Sequence, residues 1–241
     1  MTQDDALQQA QLQLDAARRQ LQLLTDTVTH DLRAPLRTIE GFAALVADSA
    51  HDRLDERERG QLQRVREAAA RMNSLLEALA EFSRATNAPL QPVEVDISLI
   101  AEWVLADLQA AEPGRNAQVS VQPGLSASGD ERLLRLMLVQ LLNNAWKFSA
   151  TSPVTRIEVT GERGGGTRRF SIRDTGIGYD VRYAHKLFEP LQRLHGAEEG
   201  AGHGLGLAIA QRIATRHGGT IIAGVSQIGD GATFTVELPD A

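Results

Sequence analysis

Apolar residues recur at heptad spacing through the first 28 residues of the chain. The two series are Leu7, Leu14, Leu21 and Val28, and, three positions further on, Ala10, Ala17 and Leu24. These are the two seam positions of a coiled coil. Good helix formers dominate and no glycine or proline occurs before Pro35, so the pattern predicts one long helix over residues 6–48. We interpret residues 1–24 as a coiled-coil stalk.

A second heptad pattern follows a polar turn around residues 48–55. It consists of Leu62, Val65, Ala69, Met72, Leu76, Leu79 and Ser83, and it predicts a helix over 56–85. The two helices predict an antiparallel hairpin over 25–87. Burying a Leu or Val side chain contributes ~1.5–3 kcal/mol, whereas ordering each residue costs ~1–2 kcal/mol, so one hairpin buries too little. We therefore expect a homodimer in which two hairpins form a four-helix bundle.

A different architecture is predicted after Asn87. Two prolines interrupt the helical pattern, and we interpret residues 88–95 as a linker to a second domain, 96–241. Helices are predicted at 97–111, 130–147 and 205–217, and strands at 117–122, 156–161, 168–174, 220–226 and 232–238. This order indicates an α+β domain with a mixed sheet that helices cover on one face.

Composition narrows the functional classes. The net charge of −6 and the pI of about 5.5 argue against nucleic acid as the partner, because phosphate backbones attract clustered positive charge. The absence of cysteine excludes disulfides and thiol catalysis and suits a reducing cytoplasm. No apolar run approaches the about 18 residues of a membrane span, so we expect no membrane segment in this chain and a cytoplasmic location.

His30 is the first residue with distinctive chemistry. It lies two positions beyond the seam residue Val28, on the outer flank of the helix, and Asp31 beside it is a hydrogen-bond acceptor. A neutral imidazole nitrogen is available there at neutral pH. Pro35 removes the hydrogen bond to the Asp31 carbonyl, which predicts a bend just past the histidine. The stretch is typical of a chemically modified histidine or of a solvated histidine near a kink.

Two further segments have residues that suit nucleotide binding. Asn144 offers an amide oxygen to a hard cation, and Lys147 offers an ammonium group to phosphate. Asp174 directly follows a predicted strand and would accept a hydrogen bond from an adenine amine, while Gly176 and Gly178 let the backbone approach a flat ligand closely. Taken singly, these segments are also typical of a polar helix end and of a tight turn.

A glycine-rich segment over 200–207 precedes the last predicted helix, so its amide groups and the positive helix end can hold phosphate. The candidate contacts are Gly202, His203, Gly204, Leu205 and Gly206. Residues 179–199, before this segment, have the length and polarity of a mobile lid. Phe188 is then its aromatic anchor, or otherwise a tethering residue in a surface turn.

In order and spacing, these segments resemble the catalytic core of a bacterial sensor histidine kinase. That core has a dimerisation and histidine phosphotransfer hairpin followed by an α/β sandwich, the Bergerat-type ATP-binding domain. The resemblance covers nearly all of residues 22–238. Its segments are the histidine box His30–Leu36, the asparagine box Asn144–Lys147, the glycine boxes Asp174–Gly178 and Gly202–Gly206, and Phe188 of the phenylalanine box.

The resemblance implies a protein-histidine kinase that uses ATP and Mg²⁺. His30 would attack the γ-phosphoryl group, with Asp31 orienting its ring and assisting proton removal. Asn144 would bind Mg²⁺, Lys147 would contact phosphate and Asp174 would bind adenine. The phosphoryl group would then pass to an aspartate of a response regulator receiver domain. The resemblance further implies either a kinase driven by a partner or the cytoplasmic part of a larger sensor.

Three positions depart from the family pattern. Gln140 replaces an asparagine where related ATP hydrolases carry a glutamate that activates water, so a hydrolase of the chaperone or topoisomerase kind is disfavoured. Ala34 replaces the Thr or Asn of strong phosphatases, which predicts weak dephosphorylation of the regulator. Leu191 stands where a second Phe is frequent. The alternative function is a non-catalytic, nucleotide-binding dimeric signalling scaffold.

Overall fold

The computed structural model describes residues 3–50, 53–87, 89–192, 203–224 and 229–240. They form two compact units, Met1–Asn87 and Ala88–Ala241. The first unit is a helical hairpin and the second is an α/β sheet domain, which confirms the predicted fold class. Among the described helices, none combines the length and apolar character that crossing a membrane requires.

The first unit consists of α1 (Gln3–Ser49) and α2 (Glu56–Asn87). A reciprocal capping box begins α2: the Glu58 amide donates to the Asp55 carboxylate at 2.7 Å, and the Asp55 amide donates to the Glu58 carboxylate at 2.9 Å. Buried residues recur at heptad spacing on both helices: Thr29, Leu36 and Ala43 on α1, and Ala69, Leu76 and Ser83 on α2, where Ala80 and Ala85 are buried as well. These two rows hold the antiparallel hairpin together.

Only half of the predicted α2 seam faces α1. Val65 and Met72 are 46% and 49% exposed, and Leu32 and Ile39 of α1 are exposed as well. The predicted seam therefore comprises one row inside the hairpin and a second row outside it. Among the first heptad series, Leu24 and Val28 are exposed. The side chains of Leu7, Ala10, Leu14 and Leu21 lie outside the described residues.

The second unit contains a five-stranded mixed sheet and a two-stranded ribbon. Its helices are α3 (Ile97–Ala111), α4 (Glu131–Phe148) and α5 (Gly206–Arg216), with a 3₁₀ helix at Val181–Lys186. Its strands are β1 (Pro92–Asp96), β2 (Ala117–Val121), β3 (Ser126–Asp130), β4 (Thr155–Gly164), β5 (Thr167–Asp174), β6 (Thr220–Ala223) and β7 (Thr233–Pro239). The sheet order is β2-β4-β5-β7-β6, in which only β2 and β4 pair in parallel. Burial alternates along β4, β5 and β7, as expected for a sheet with one covered face.

The structure departs from the predicted elements in four places, of which one is the strand expected over 156–161, β4, which continues to Gly164. Part of the expected linker, residues 92–95, belongs to β1, which pairs antiparallel with the unpredicted strand β3. The expected strand 220–226 ends at Ala223, and residues 225–228 lie outside the described part. The expected irregular lid contains the 3₁₀ helix.

A tertiary contact explains the ribbon that the pattern does not predict. β3 has no large apolar side chain, so its sequence lacks a strand signal. The buried Arg168 of β5 reaches across to the ribbon and donates to Glu94 of β1 and Ser126 of β3. The main sheet thereby holds β3, whose own residues favour a strand only weakly, together with β1.

Candidate functional site

His30 stands on the solvent side of α1. Its side chain is 84% exposed, and its Nδ1 lies 3.1 Å from Oδ1 of Asp31, which is 70% exposed. The preceding residue, Thr29, is buried, and its hydroxyl donates to the Thr25 carbonyl at 2.6 Å. Burial of Thr29 fixes the rotation of the helix and so turns His30 outward. The helix continues through Pro35 to Ser49.

Asp174 is buried at the end of β5. Its Oδ1 accepts hydrogen bonds from the Gly176 amide at 2.8 Å and the Ala232 amide at 3.1 Å. Burial raises the pKa of this carboxyl from 3.8 to about 6, although the two amides act in the opposite direction. Both hydrogen bonds described for the carboxylate go to Oδ1, so Oδ2 is the oxygen that can accept from a ligand.

Two residues beside Asp174 were not predicted as site residues. A Cβ on Gly231 would lie 2.0 Å from the Asp174 carbonyl oxygen, and the φ of Gly231 is +79°, so only glycine fits there. The next residue, Ala232, supplies one of the amides that bind Asp174. The only sequence signal was the Gly229-Asp230-Gly231 turn, which is typical of any hairpin.

The end of α4 lies against the first glycine box. The Ile177 amide donates to the Phe148 carbonyl at 3.1 Å, which ties the last turn of α4 to the loop that follows Asp174. Asn144 and Lys147 belong to the C-terminal part of this helix and are half-buried. The asparagine box and the first glycine box are thus neighbours. The Lys147 ammonium also lies 4.4 Å from the centroid of the Phe148 ring.

Aromatic contacts fix both ends of the segment that carries the 3₁₀ helix. The buried Tyr179 donates its hydroxyl to the Gly224 carbonyl, and its ring lies 6.2 Å from that of Phe234 on β7. The Phe188 ring meets Phe234 edge-on at 6.3 Å. The Phe188 ring therefore ties residues 179–192, the described part of the predicted lid, to β7.

The second glycine box adjoins both the lid and α4. The Leu191 amide donates to the Gly204 carbonyl at 2.9 Å, and Leu191 itself has a φ of +65°. A Cβ on Gly206 would lie 2.8 Å from Oε1 of Gln140, so α5 begins directly against α4. His203 is half-buried and Leu205, the residue before α5, is buried. Gly202 lies outside the described residues.

His217, outside the segments singled out in the sequence, is half-buried and makes contacts through both ring nitrogens. Its Nε2 accepts from the Asp130 amide at 3.0 Å, while its Nδ1 lies 2.8 Å from the Ile213 carbonyl. It therefore joins the end of α5 to the beginning of α4. Asp130 also caps α4 by accepting from the Leu133 amide, as the predicted helix start implies.

The donor set of the second unit suits a magnesium ion that is shared with a ligand. Within the described part of the chain, no group of three or more His, Cys, Asp or Glu residues is arranged to hold a metal. Asn144 offers one hard amide oxygen beside the first glycine box. Mg²⁺ is commonly bound by one or two protein oxygens together with substrate phosphates and water. The single amide oxygen of Asn144 therefore suits this ion.

Comparison with known proteins identifies both units. Residues 6–88 match the His Kinase A (phospho-acceptor) domain, and residues 129–241 match the histidine kinase-, DNA gyrase B- and HSP90-like ATPases. The sensor histidine kinase AruS of Pseudomonas aeruginosa is 34% identical over 244 residues, which cover 97% of this chain and 24% of AruS.

Solved structures have the same arrangement of elements. The structure of full-length ShkA in complex with AMPPNP has a TM-score of 0.67 and 27% identity, covering 89% of this chain and 45% of ShkA. The structure of ThkA in complex with the response regulator protein TrrA has a TM-score of 0.63 over 96% of this chain and 66% of that one, and at 18% identity it shows a likeness of fold alone. The chain spans less than half the length of AruS and of ShkA. With both domains matched in the order that the sequence predicts, the chain belongs to the sensor histidine kinase family.

Proposed function

We propose that this chain is an ATP-dependent protein-histidine kinase that phosphorylates itself on His30 and passes the phosphoryl group to an aspartate of a response regulator. Residues 25–87 carry the acceptor histidine and residues 96–241 bind ATP, while the stalk, residues 1–24, passes on an upstream signal. This chemistry requires ATP, so we place the chain in the cytoplasm. ThkA, whose structure includes a response regulator, has the same fold and supports this choice of partner.

The exposure of His30 supports the proposal most strongly. A nucleophile for a large substrate must reach solvent, and this imidazole is 84% exposed beside a carboxylate. A neutral ring that donates Nδ1–H to Asp31 keeps its lone pair on Nε2, the atom directed away from Asp31. Asp31 is thus suited to orient the ring and to stabilise the positive charge that develops during attack.

The chemical step follows from these assignments. Nε2 of His30 forms a bond to the γ-phosphorus of ATP, and the bond from that phosphorus to the β–γ bridging oxygen breaks, so ADP leaves with the electron pair. The Nδ1 proton stays in the hydrogen bond to Asp31.

The second unit holds the nucleotide. Lys147 contacts the phosphates, and Asp174 accepts from the adenine amine through Oδ2. The backbone amides around Gly204 and Gly206, at the N-terminus of α5, stabilise the negative charge of the phosphates. Mg²⁺, held by Asn144, would neutralise phosphate charge.

The exposed apolar row of the hairpin supports a homodimer. Leu32, Ile39 and Val46 on α1 and Val65 and Met72 on α2 recur at heptad spacing and are exposed within one chain. We call these five residues the outer row. A second copy of the hairpin would cover this row and complete a four-helix bundle, in which His30 remains outside the core.

Replacing His30 by alanine tests the function directly. We expect the wild-type chain to incorporate radiolabel from γ-labelled ATP and the His30→Ala variant to incorporate none, since the variant lacks the only proposed acceptor nitrogen. The label should be lost in acid and retained in base, as a phosphorus–nitrogen bond requires. Arg71→Ala, which shortens an exposed side chain of α2 outside the proposed sites, is the control and should be labelled normally.

The results separate the alternative functions. A wild-type chain that binds ATP but takes up no label would indicate the signalling scaffold. ATP hydrolysis that continues undiminished in His30→Ala would indicate a hydrolase. Label that persists in His30→Ala would show that another residue is the acceptor, and the assignment of His30 would be wrong.

Changing Gln140 to glutamate should raise ATP hydrolysis. The Gln140 side chain lies at the start of α5, beside Gly206, where a carboxylate could accept a proton from water and the native amide cannot. General-base catalysis contributes about 10²–10⁴-fold, and for an unoptimised position we expect less, about tenfold or more. The measurement is the rate of phosphate release from ATP. The control is Gln140→Met, because methionine is similar in size to glutamate but cannot accept a proton from water. Equal rates in both variants would contradict a water-activating geometry at this position.

A further inference from the structure

The C-terminal end of α4 carries both proposed phosphate-side ligands, with Lys147 in the last turn and Asn144 directly before it, and the four carbonyls that end this helix all have donors. The donors are the Ser149 amide for Ala145, the Ala150 amide for Lys147, the Ile177 amide for Phe148 and the Arg115 guanidinium for Trp146. Three of these donors are backbone amides. Arg115 is the single side chain among them, and it comes from the loop after α3, outside the predicted boxes.

Arg115 makes a set of contacts directed at this helix end. Its side chain is 11% exposed, and its guanidinium carbon lies 4.3 Å from the centroid of the buried Trp146 ring. Its Nε donates to the Thr155 hydroxyl at 2.9 Å, and that hydroxyl donates to the Ser149 carbonyl at 3.1 Å. The guanidinium therefore supports two carbonyls of the helix end, one directly and one through Thr155.

Glu112 completes the arrangement from the other side. Its carboxylate accepts from the indole Nε1 of Trp146 at 2.9 Å and lies 3.4 Å from the Arg115 guanidinium. A turn brings the two residues together, because the Arg115 amide donates to the Glu112 carbonyl at 3.0 Å across Pro113 and Gly114. The turn holds Glu112 and Arg115 so that both side chains reach Trp146.

We propose that Arg115 is a positioning residue for the phosphate end of the nucleotide site, acting through Trp146 on Asn144 and Lys147. The inference rests on the proposed nucleotide site. Helix ends fray when their carbonyls lack donors, and a frayed last turn would leave both ligands at a variable distance from the first glycine box. Arg115 holds one side of this turn, and the Ile177 amide holds the other.

Arginine is required here because of its shape. The planar guanidinium stacks on the indole while donating to two different acceptors, the Trp146 carbonyl and the Thr155 hydroxyl. A lysine ammonium is a point charge without a flat face, so it cannot reproduce both contacts. Lysine at this position should therefore behave almost like an uncharged residue, although it keeps the charge.

A purely structural role and a positioning role give different binding results. The adenine end is held by Asp174, whose Oδ1 accepts from the amides of Gly176 and Ala232. None of the residues around Arg115, namely Glu112, Trp146 and Thr155, takes part in these two hydrogen bonds. Loss of Arg115 should thus weaken ligands that carry phosphates and spare adenosine. General destabilisation of the domain would weaken both ligands alike.

Isothermal titration calorimetry with Mg·ATP and with adenosine tests this inference. We expect Arg115→Met and Arg115→Lys to weaken Mg·ATP binding about tenfold, the lower range for residues that orient a metal ligand, and to leave adenosine binding within about twofold of wild type. The matched control is Arg169→Met, which removes an arginine that pairs with Glu162 and Glu237 on the sheet. It should change neither affinity.

A double variant strengthens the test. In an Asn144→Ala background, Arg115→Lys should weaken Mg·ATP binding less than it does in wild type, since part of what it positions is already gone. Equal losses for both ligands, or losses that are fully additive with Asn144→Ala, would overturn the inference. If wild type binds neither ligand, the proposed nucleotide site itself fails. If wild type binds both and the Arg115 variants match it, only this inference fails.

Discussion

Replacing Asp174 by asparagine is expected to weaken ATP binding about a hundredfold and, at the same time, to make the second unit more stable. The asparagine side chain would keep its oxygen on the Gly176 and Ala232 amides, which places its NH₂ group where Oδ2 stood. The asparagine NH₂ and the adenine amine would then face each other as two hydrogen-bond donors, and the hydrogen bond to the base would be lost. Such a loss costs ~3 kcal/mol, or about a hundredfold in affinity.

Stability should change in the opposite direction. The carboxyl of Asp174 has a pKa of about 6 in the folded chain against an ordinary 3.8, so the unfolded chain releases this proton more readily. Its contribution to the free energy of unfolding is therefore greatest below pH 3.8, falls as the pH rises from about 4 to 6, and remains lower above that range. Asparagine removes this cost, which amounts to at most ~3 kcal/mol at pH 7.

Two measurements check the Asp174 prediction. Thermal unfolding at pH 7 should give a higher midpoint for Asp174→Asn, whereas Asp107→Asn, at an exposed position of α3, should leave it unchanged. Adenosine binding by wild type should weaken as the pH falls below about 6, where Oδ2 becomes protonated and can no longer accept from the amine. An asparagine variant that binds adenosine as tightly as wild type would exclude Asp174 as the adenine acceptor.

Introducing glutamate at both Ile39 and Met72 is expected to convert the chain from dimer to monomer. Both residues belong to the outer row and are about half exposed within one chain. In the proposed bundle they are covered, so each dimer would bury four unpaired carboxylates. The combined cost should exceed ~4 kcal/mol, which weakens association by about a thousandfold or more.

The hairpin itself should survive these two substitutions. Its internal contacts come from Leu36, Ala69 and Leu76, which lie in the other row and are unchanged. Circular dichroism should therefore show an unaltered helix content while light scattering shows the monomer mass. Arg71→Glu, a charge reversal at an exposed polar position of α2, is the control and should remain dimeric. A wild-type chain that is monomeric at micromolar concentration, or a double variant that stays dimeric, would contradict the proposed interface.

Elements with strong periodic patterns could be predicted closely from the sequence. Helix α3 has the predicted bounds, and α1, α2 and α4 differ from theirs by at most three residues, because each repeats an apolar face over many turns. The ribbon of β1 and β3 could not be predicted in this way. β3 has no large apolar side chain, and Arg168, which bonds to both strands, is distant in sequence and reaches them only in the finished sheet.

The candidate site shows the same division between local signals and distant contacts. Asp174 and Asn144 lie in segments whose composition is distinctive by itself. Gly231 and Ala232 complete the Asp174 pocket only because β7 pairs with β5, and the Gly229-Asp230-Gly231 turn alone indicates nothing about a carboxylate 58 residues before Ala232. Arg115 was missed for the same reason, since its target, the Trp146 carbonyl, lies 31 residues later in the chain.

The sequence by itself determined the two-part organisation, the long helices and the residue types able to transfer a phosphoryl group, because periodicity and side-chain chemistry are local properties. The tertiary structure decided which heptad row fills the hairpin and which remains exposed, and it turned His30 outward by burying Thr29. It also raised the pKa of Asp174 by removing the carboxylate from water. Burial depends on what packs around a residue, so these properties exist only once distant segments have come together.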